Sequence, residues 1–247
     1  MIVSFTFDDG NLSQIHDFFP TLRKHAFPAT FYVVGSQIGM PGKLSEENLR
    51  ALISEGNEIG SHGWTHRSLL RMGPTDLKDE LRRSLEALRP FGAKTFAYPY
   101  GYYNRKVALE VSHYFDSARA YAPTVVANTA SSIQRYALNS FSVEGRFQSR
   151  IDPQARECIL SQTAILNSSD WLILTFHGRT SVRFARKAIF EPANVTREQA
   201  RGYINDIRER FSSTRRNLVS DFQVFCARLA EERVTVTTVS SGLERLL

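Results

Sequence analysis

The chain has 247 residues, 42% of them hydrophobic and 23% charged, with a formal net charge of +6. That balance fits one globular domain with a sizeable core and excludes a disordered or fibrous chain. No run of 18 apolar residues occurs, so no membrane span is expected.

The first residues, Met1-Ile2-Val3-Ser4-Phe5, already read as strand. With no leader pattern ahead of them the expected location is cytoplasmic, or secreted or periplasmic if a leader was removed. Short β-branched or aromatic runs at 2–7, 29–34, 57–61, 94–98, 115–120, 136–143, 171–177 and 234–238 predict strands. Between them, apolar residues at spacings of three and four predict helices. One set is Ile15, Phe18, Phe19 and Leu22, a second Leu77, Leu81, Leu85 and Leu88, a third Leu218, Phe222, Phe225 and Leu229. Thr196 is placed to cap a further helix burying Ala200, Tyr203, Ile204, Ile207 and Phe211, and the stretch 234–247 fits a closing strand and helix. Strand and helix alternate from end to end, which predicts an α/β protein with a largely parallel sheet. Seven or eight such units close most economically into a barrel, as a single domain over residues 1–247.

The charge is unevenly placed. Residues 179–216 hold ten basic side chains against four acidic ones, the whole of the excess. Such a segment is either a solvated helical face or a surface for an anionic polymer or a membrane. Aromatics are not interleaved with its charges as a base-stacking platform requires, so no nucleic-acid partner is expected. Cys158 and Cys226 read as buried free thiols.

In barrels of this kind the chemistry lies at the carboxyl ends of the strands. The polar signals obey that rule: Asp8-Asp9-Gly10 follows the first strand, His62 and His66 the third, Pro99-Tyr100-Gly101 the fourth, and His177-Gly178 the run Trp171 to Phe176. Two adjacent carboxylates at a strand end are costly unless a cation offsets them; Asp-Gly is also a common turn pair. His62 and His66, four apart, are expected to face one ligand from a single helical turn. One carboxylate and two imidazoles with an open position suit a hydrolytic metal, zinc above all. Period-two alternation puts His177 on one strand face with Thr175 and Ile173.

Taken in order, Thr6-Phe7-Asp8-Asp9-Gly10, His62-Gly63-Trp64-Thr65-His66, Pro99-Tyr100-Gly101 and His177 resemble the NodB-like polysaccharide deacetylases of carbohydrate esterase family 4. The resemblance covers roughly residues 2–178. It implies a distorted (β/α)7-type barrel holding zinc, or cobalt or nickel, through Asp9, His62 and His66. It further implies Asp8 as general base on metal-bound water, the Tyr100 backbone N–H as oxyanion donor, and His177 as general acid toward a departing sugar amine. The implied substrate is an acetylated glycan, with Trp64, Pro99 and Thr175 bordering it. Tyr100, Tyr102 and Tyr103, with Trp64, either stack on sugar rings or pack on the rim.

Three positions depart from the family pattern. The third motif usually has an arginine two positions before its proline, where this chain has Ala97; Arg119 and Arg146, each near a predicted strand end, are the candidate replacements. The acidic residue and tryptophan that normally flank the catalytic histidine are not recognisable in 115–130, leaving Asp116 or Asp170 and Trp64 or Trp171. Thr175 stands where leucine commonly lies beside the acetyl methyl. Competing expectations are an ester or non-sugar amide hydrolase on the same site, a catalytically silent glycan-binding relative, and an iron oxygenase using the same triad of donors.

Overall fold

The computed structural model describes residues 1–123, 125–143, 170–178 and 218–247. Its strands are β1 (Ile2–Phe7), β2 (Ala29–Val33), β3 (Glu58–Ser61), β4 (Thr95–Ala97), β5 (Ser117–Tyr121), β6 (Leu138–Ser142), β7 (Trp171–Phe176) and β8 (Thr235–Val236). The helices are α1 (Ser13–Asp17), α2 (Phe19–Lys24), α3 (Glu46–Ser54), α4 (Pro74–Leu88), α5 (Arg105–Val111), α6 (218–231) and α7 (Val239–Leu246). The expected helix around Ile15–Leu22 is broken at Phe18 into α1 and α2, with Pro20 in the first turn of the second, where its missing N–H does no harm.

Every ladder among the described residues is parallel. The order runs β2-β3-β4-β5-β6-β7-β1, and β1 pairs back to β2 through Phe5–Phe7, which closes a seven-stranded barrel. The short β8 pairs only with Ile2 and Val3, at the amino end of β1, and so lies outside the ring. The eighth predicted strand is therefore an addition to the barrel and not one of its staves.

Both faces of β1 are buried, but by different partners. Val3, Phe5 and Phe7 point outward into an aromatic layer completed by Phe18, Phe31, Phe176, Phe222 and Phe225. Ring pairs such as Phe7–Phe31 (5.0 Å), Phe18–Phe222 (5.1 Å) and Phe176–Phe222 (5.1 Å) fasten α6 to the barrel wall. The interior has an apolar floor: Ile2, Tyr32, Ala97, Leu138, Trp171 and Ile173, plugged from below by Val239, Leu243 and Leu246 of α7. Large and small residues alternate there. A Cβ on Gly60 would lie 2.5 Å from the Tyr32 ring, so β3 is bare where β2 carries its bulkiest side chain. Above the floor the interior turns polar, with Thr6 bonded to Thr175 at 3.0 Å. That polar layer leads to the carboxyl rim, where the chemical residues gather.

The Thr196 helix and the basic segment 179–216, with Cys158 and Arg146, lie outside the described residues. Cys226 is buried, as expected of a packed thiol, and burial pushes it well above the usual thiol range.

Candidate metal centre and catalytic rim

Asp8 and Asp9 leave β1 through a backbone turn in which Asp9 (φ 74°) and Gly10 (φ 59°) are left-handed. Both carboxylates are about 95% buried. The Asp9 Oδ1 lies 3.3 Å from His66 Nε2 and 3.7 Å from His62 Nε2. One donor atom from each of Asp9, His62 and His66 falls within 4.8 Å of the others, and the 3.3 and 3.7 Å separations from Asp9 are near the roughly 3.4 Å between two ligands of one tetrahedral ion at about 2.1 Å.

The hydrogen bond behind the His62 ring also fits a metal. A carbonyl only accepts, so His62 Nδ1 must carry the proton it donates to Ala97 O at 2.8 Å. The other ring nitrogen, Nε2, faces the two carboxylates, where a divalent ion would take its lone pair. The two histidines do not share a helical turn. His62 ends the third strand region, Gly63 (φ 80°) and His66 (φ 58°) are left-handed, and the loop between them folds the rings to 4.7 Å between centroids. Glu80 of α4 sets that loop: it accepts from Thr65 N at 2.7 Å and from Thr65 Oγ1 at 2.9 Å. A Cβ on Gly63 would lie 3.1 Å from the same carboxylate, which, with the positive φ, leaves glycine as the residue that fits.

Asp8 stands beside the cluster, its Oδ2 3.7 Å from His62 Nε2, and its Oδ1 is ion-paired with Arg119 of β5. Arg119 is 4% exposed, donates also to Ser140 Oγ at 3.1 Å, and lies over the Tyr32 ring at 4.6 Å. Its partner in the β4–β5 ladder is Ala97. The guanidinium absent at 97 is thus supplied one strand over, at the same level and on the same face. Burial would raise the Asp8 carboxyl; the Arg119 charge, then His62 and His177, outweigh it and hold the group down to about 2. Asp9 is lowered as well: burial and Asp8 raise it, while His62, His177 and His66 prevail.

His177 follows β7 on the interior face with Thr175, close enough to influence both carboxylates. Its backbone carbonyl is tied down by Asn11 Nδ2 (2.9 Å) and Gln14 Nε2 (3.1 Å). Gln14 also donates to Asp8 O at 2.5 Å, and Lys43 Nζ to Asp9 O at 2.8 Å. These clamps were not singled out from sequence. The available signal is strongest at Glu80, a charge on the apolar stripe of α4 between Leu77 and Leu81.

The remaining expected residues are placed as follows. Tyr100 is left-handed (φ 63°), 58% exposed, with its ring 4.8 Å from that of His66. Pro99 is buried against Gly63. Thr175 is 3% exposed and its hydroxyl is engaged by Thr6 inside the barrel. Trp64 packs on the helix side of its loop, under the Arg83 guanidinium at 4.6 Å and against Gly35. Asp170 and Trp171 sit at the amino end of β7, where Asp170 O accepts from Ile2 N. They lie about seven residues, roughly 23 Å of extended strand, from His177 and cannot orient or wall it. Asp116 likewise precedes β5 and pairs through its N–H with Lys94 O at the opposite rim.

Residues 1–115 match the polysaccharide deacetylase family model. This part of the chain is similar to that family. The peptidoglycan-N-acetylglucosamine deacetylase PgdA of Listeria monocytogenes is 32% identical over 114 residues, 44% of this chain and 23% of that protein. A chitooligosaccharide deacetylase of Bradyrhizobium is 35% identical over 88 residues, 35% of this chain and 38% of the relative. The matches thus span well under two thirds of these relatives. For the fold, the Xyl-CE4 domain of a xylanase from the hindgut metagenome of Trinervitermes trinervoides aligns over 99% of this chain and 90% of its own, with a TM-score of 0.62 at 16% identity. The chain therefore has the fold of the family 4 deacetylases.

Proposed function

We propose that the protein is a metal-dependent hydrolase that removes acetyl groups from amino sugars of a glycan. The observation that supports this reading best is the gathering of Asp9, His62 and His66 donors within 4.8 Å on one rim, beside a second acid, Asp8, locked by a buried arginine. A divalent ion held by those three side chains would polarise the acyl oxygen and lower the pKa of a water toward about 7.

Each neighbouring residue has a separable task. Asp8 stays ionised at neutral pH and takes the proton of the attacking water, with Arg119 holding its Oδ1 and leaving Oδ2 toward His62. The Tyr100 ring lies beside that of His66, and its backbone N–H is the donor that the family resemblance implies for the oxygen of a tetrahedral intermediate. His177 gives a proton to the sugar nitrogen, which cannot leave as an anion. The relatives named as deacetylases of peptidoglycan and chitooligosaccharides support a glycan as substrate.

The test is acetate release from N-acetylglucosamine oligomers by the full chain, with and without chelator, compared with acetylated xylan. Release from the amide substrate that stops with chelator and returns with zinc is the expected result. Release only from xylan would replace the amide reading by an ester one, and no release from either would remove it.

A further inference from the structure

On the far side of Tyr100 from the interior an open cleft of about 560 Å³ is lined by Arg67, Ser68, Arg71, Met72, Tyr100 and Tyr102. Its size is within the roughly 300–1,000 Å³ of small-molecule sites. Tyr100 lines it, and the Tyr100 ring also stands 4.8 Å from the ring of His66, so the cleft adjoins the candidate metal centre. A chain whose reacting unit sits at Asp9 and His66 would lay its next unit here.

The chemistry of the lining is one-sided. Tyr100 and Tyr102 are 58% and 60% exposed and offer flat faces for a sugar ring. The polar groups opposite are mainly two guanidinium forks, and arginine donates five hydrogen bonds and accepts none. A neutral sugar, whose hydroxyls donate as well as accept, calls for carboxylates or amides among its partners; among the described residues none lines this cleft. Other arginines on the surface have local carboxylates, such as Arg23 with Glu55, Arg82 with Asp79 and Glu86, and Arg228 with Glu232. Among the described residues neither Arg67 nor Arg71 has one within ion-pair distance. Arg67 is instead steadied by its Nε bond to Thr65 Oγ1 at 3.2 Å, the residue that Glu80 fixes in the His62–His66 loop. The metal loop and the anion-reading side chain are therefore held by one support.

We propose that this cleft is a subsite for a carboxylate-bearing sugar unit adjacent to the N-acetylated one, read by Arg67 and Arg71 and stacked on Tyr100 and Tyr102. The proposal rests on the deacetylase reading for the identity of the reacting unit, but the cleft binds by itself. Planar forks match a carboxylate through paired N–H donors, and a lysine would not do so equally well.

The experiment uses the zinc-supplemented full chain and two trisaccharides without acetyl groups, identical except that one unit is glucose or glucuronic acid. Calorimetry is expected to give at least tenfold tighter binding of the acidic one at low salt, narrowing as salt is raised. In the Arg67→Gln/Arg71→Gln double variant the ratio falls to about one. Both positions are exposed, and an unchanged melting temperature certifies the fold of that variant. Equal binding of the two sugars by the unmodified chain, or a preference that survives the double substitution, overturns the subsite. Acetate release from N-acetylated oligomers with the same pair of neighbours separates the two claims. Charge-selective binding with no acetate from either oligomer removes the deacetylase reading and leaves the subsite standing. Release at the same kcat/KM from both contradicts the subsite alone.

Discussion

Replacing Arg119 by Met leaves the buried Asp8 without its guanidinium. The Asp8 carboxyl is held down to about 2 from an ordinary value of 3.8. At about 1.4 kcal/mol for each unit, that difference stabilises the folded chain by about 2 kcal/mol. Because the folded value is the lower one, this contribution is present above pH 3.8 and is lost as pH falls through about 2. Removing the arginine does more than cancel it, since one partner of a buried pair is left uncompensated, a loss of about 3–5 kcal/mol. For a chain of this length the lower figure corresponds to a melting temperature roughly 6–12 °C lower at neutral pH. Burial then acts on Asp8 with less opposition and its pKa rises, so the deficit relative to the parent narrows as the solution is acidified toward pH 4. Calorimetric unfolding of the metal-free protein between pH 4 and 8 reads both effects. If Asp8 is the base, the acid limb of kcat/KM for acetate release moves up by about one unit or more. A deficit that is the same at every pH, or an acid limb that stays in place, refutes the idea that Arg119 acts through the Asp8 carboxylate.

Substitution of His177 by Ala is expected to lower kcat on an N-acetyl substrate about 100-fold or more while affecting an activated phenyl acetate far less, because only the amine needs a proton to leave; equal losses on the two substrates would remove the general-acid role. The Glu80→Ala variant frees the Thr65 backbone and is expected to weaken metal binding by about 10–100-fold in a competition titration, with little change in the fold by circular dichroism. Gly60→Ala forces a methyl to 2.5 Å from the Tyr32 ring and is expected to destabilise the barrel by about 1–3 kcal/mol in urea unfolding; an unchanged midpoint would show that the floor is looser than drawn.

The barrel was legible because its strands are buried on both faces and announce themselves as short apolar runs, and because the helices between them carry plain three-and-four spacing. The chemical residues were legible by type and order. Their support was not. His62 and His66 at i and i+4 suggest a helical turn, yet positive φ at Gly63 and His66 makes the same juxtaposition from a loop, and side-chain spacing alone does not distinguish the two. Arg119 was one of two candidates, and only the ladder register, which sets Ala97 beside it, shows why it reaches Asp8. Asp170 and Trp171 were candidates to flank His177, but they stand at the opposite end of its strand: nearness in sequence hides a full strand length. Glu80, Gln14 and Lys43 act through backbone atoms of other loops, and such bonds leave little trace in a sequence.

The most direct measurement is metal stoichiometry by equilibrium dialysis on the full chain and on Asp9→Ala, His62→Ala and His66→Ala, with acetate release followed in parallel. One zinc per unmodified chain, retention lost or weakened by about 100-fold in each variant, and activity falling with it are predicted. A full complement of zinc in all three variants, or undiminished acetate release from them, would contradict the placement of the metal centre and the mechanism built around it.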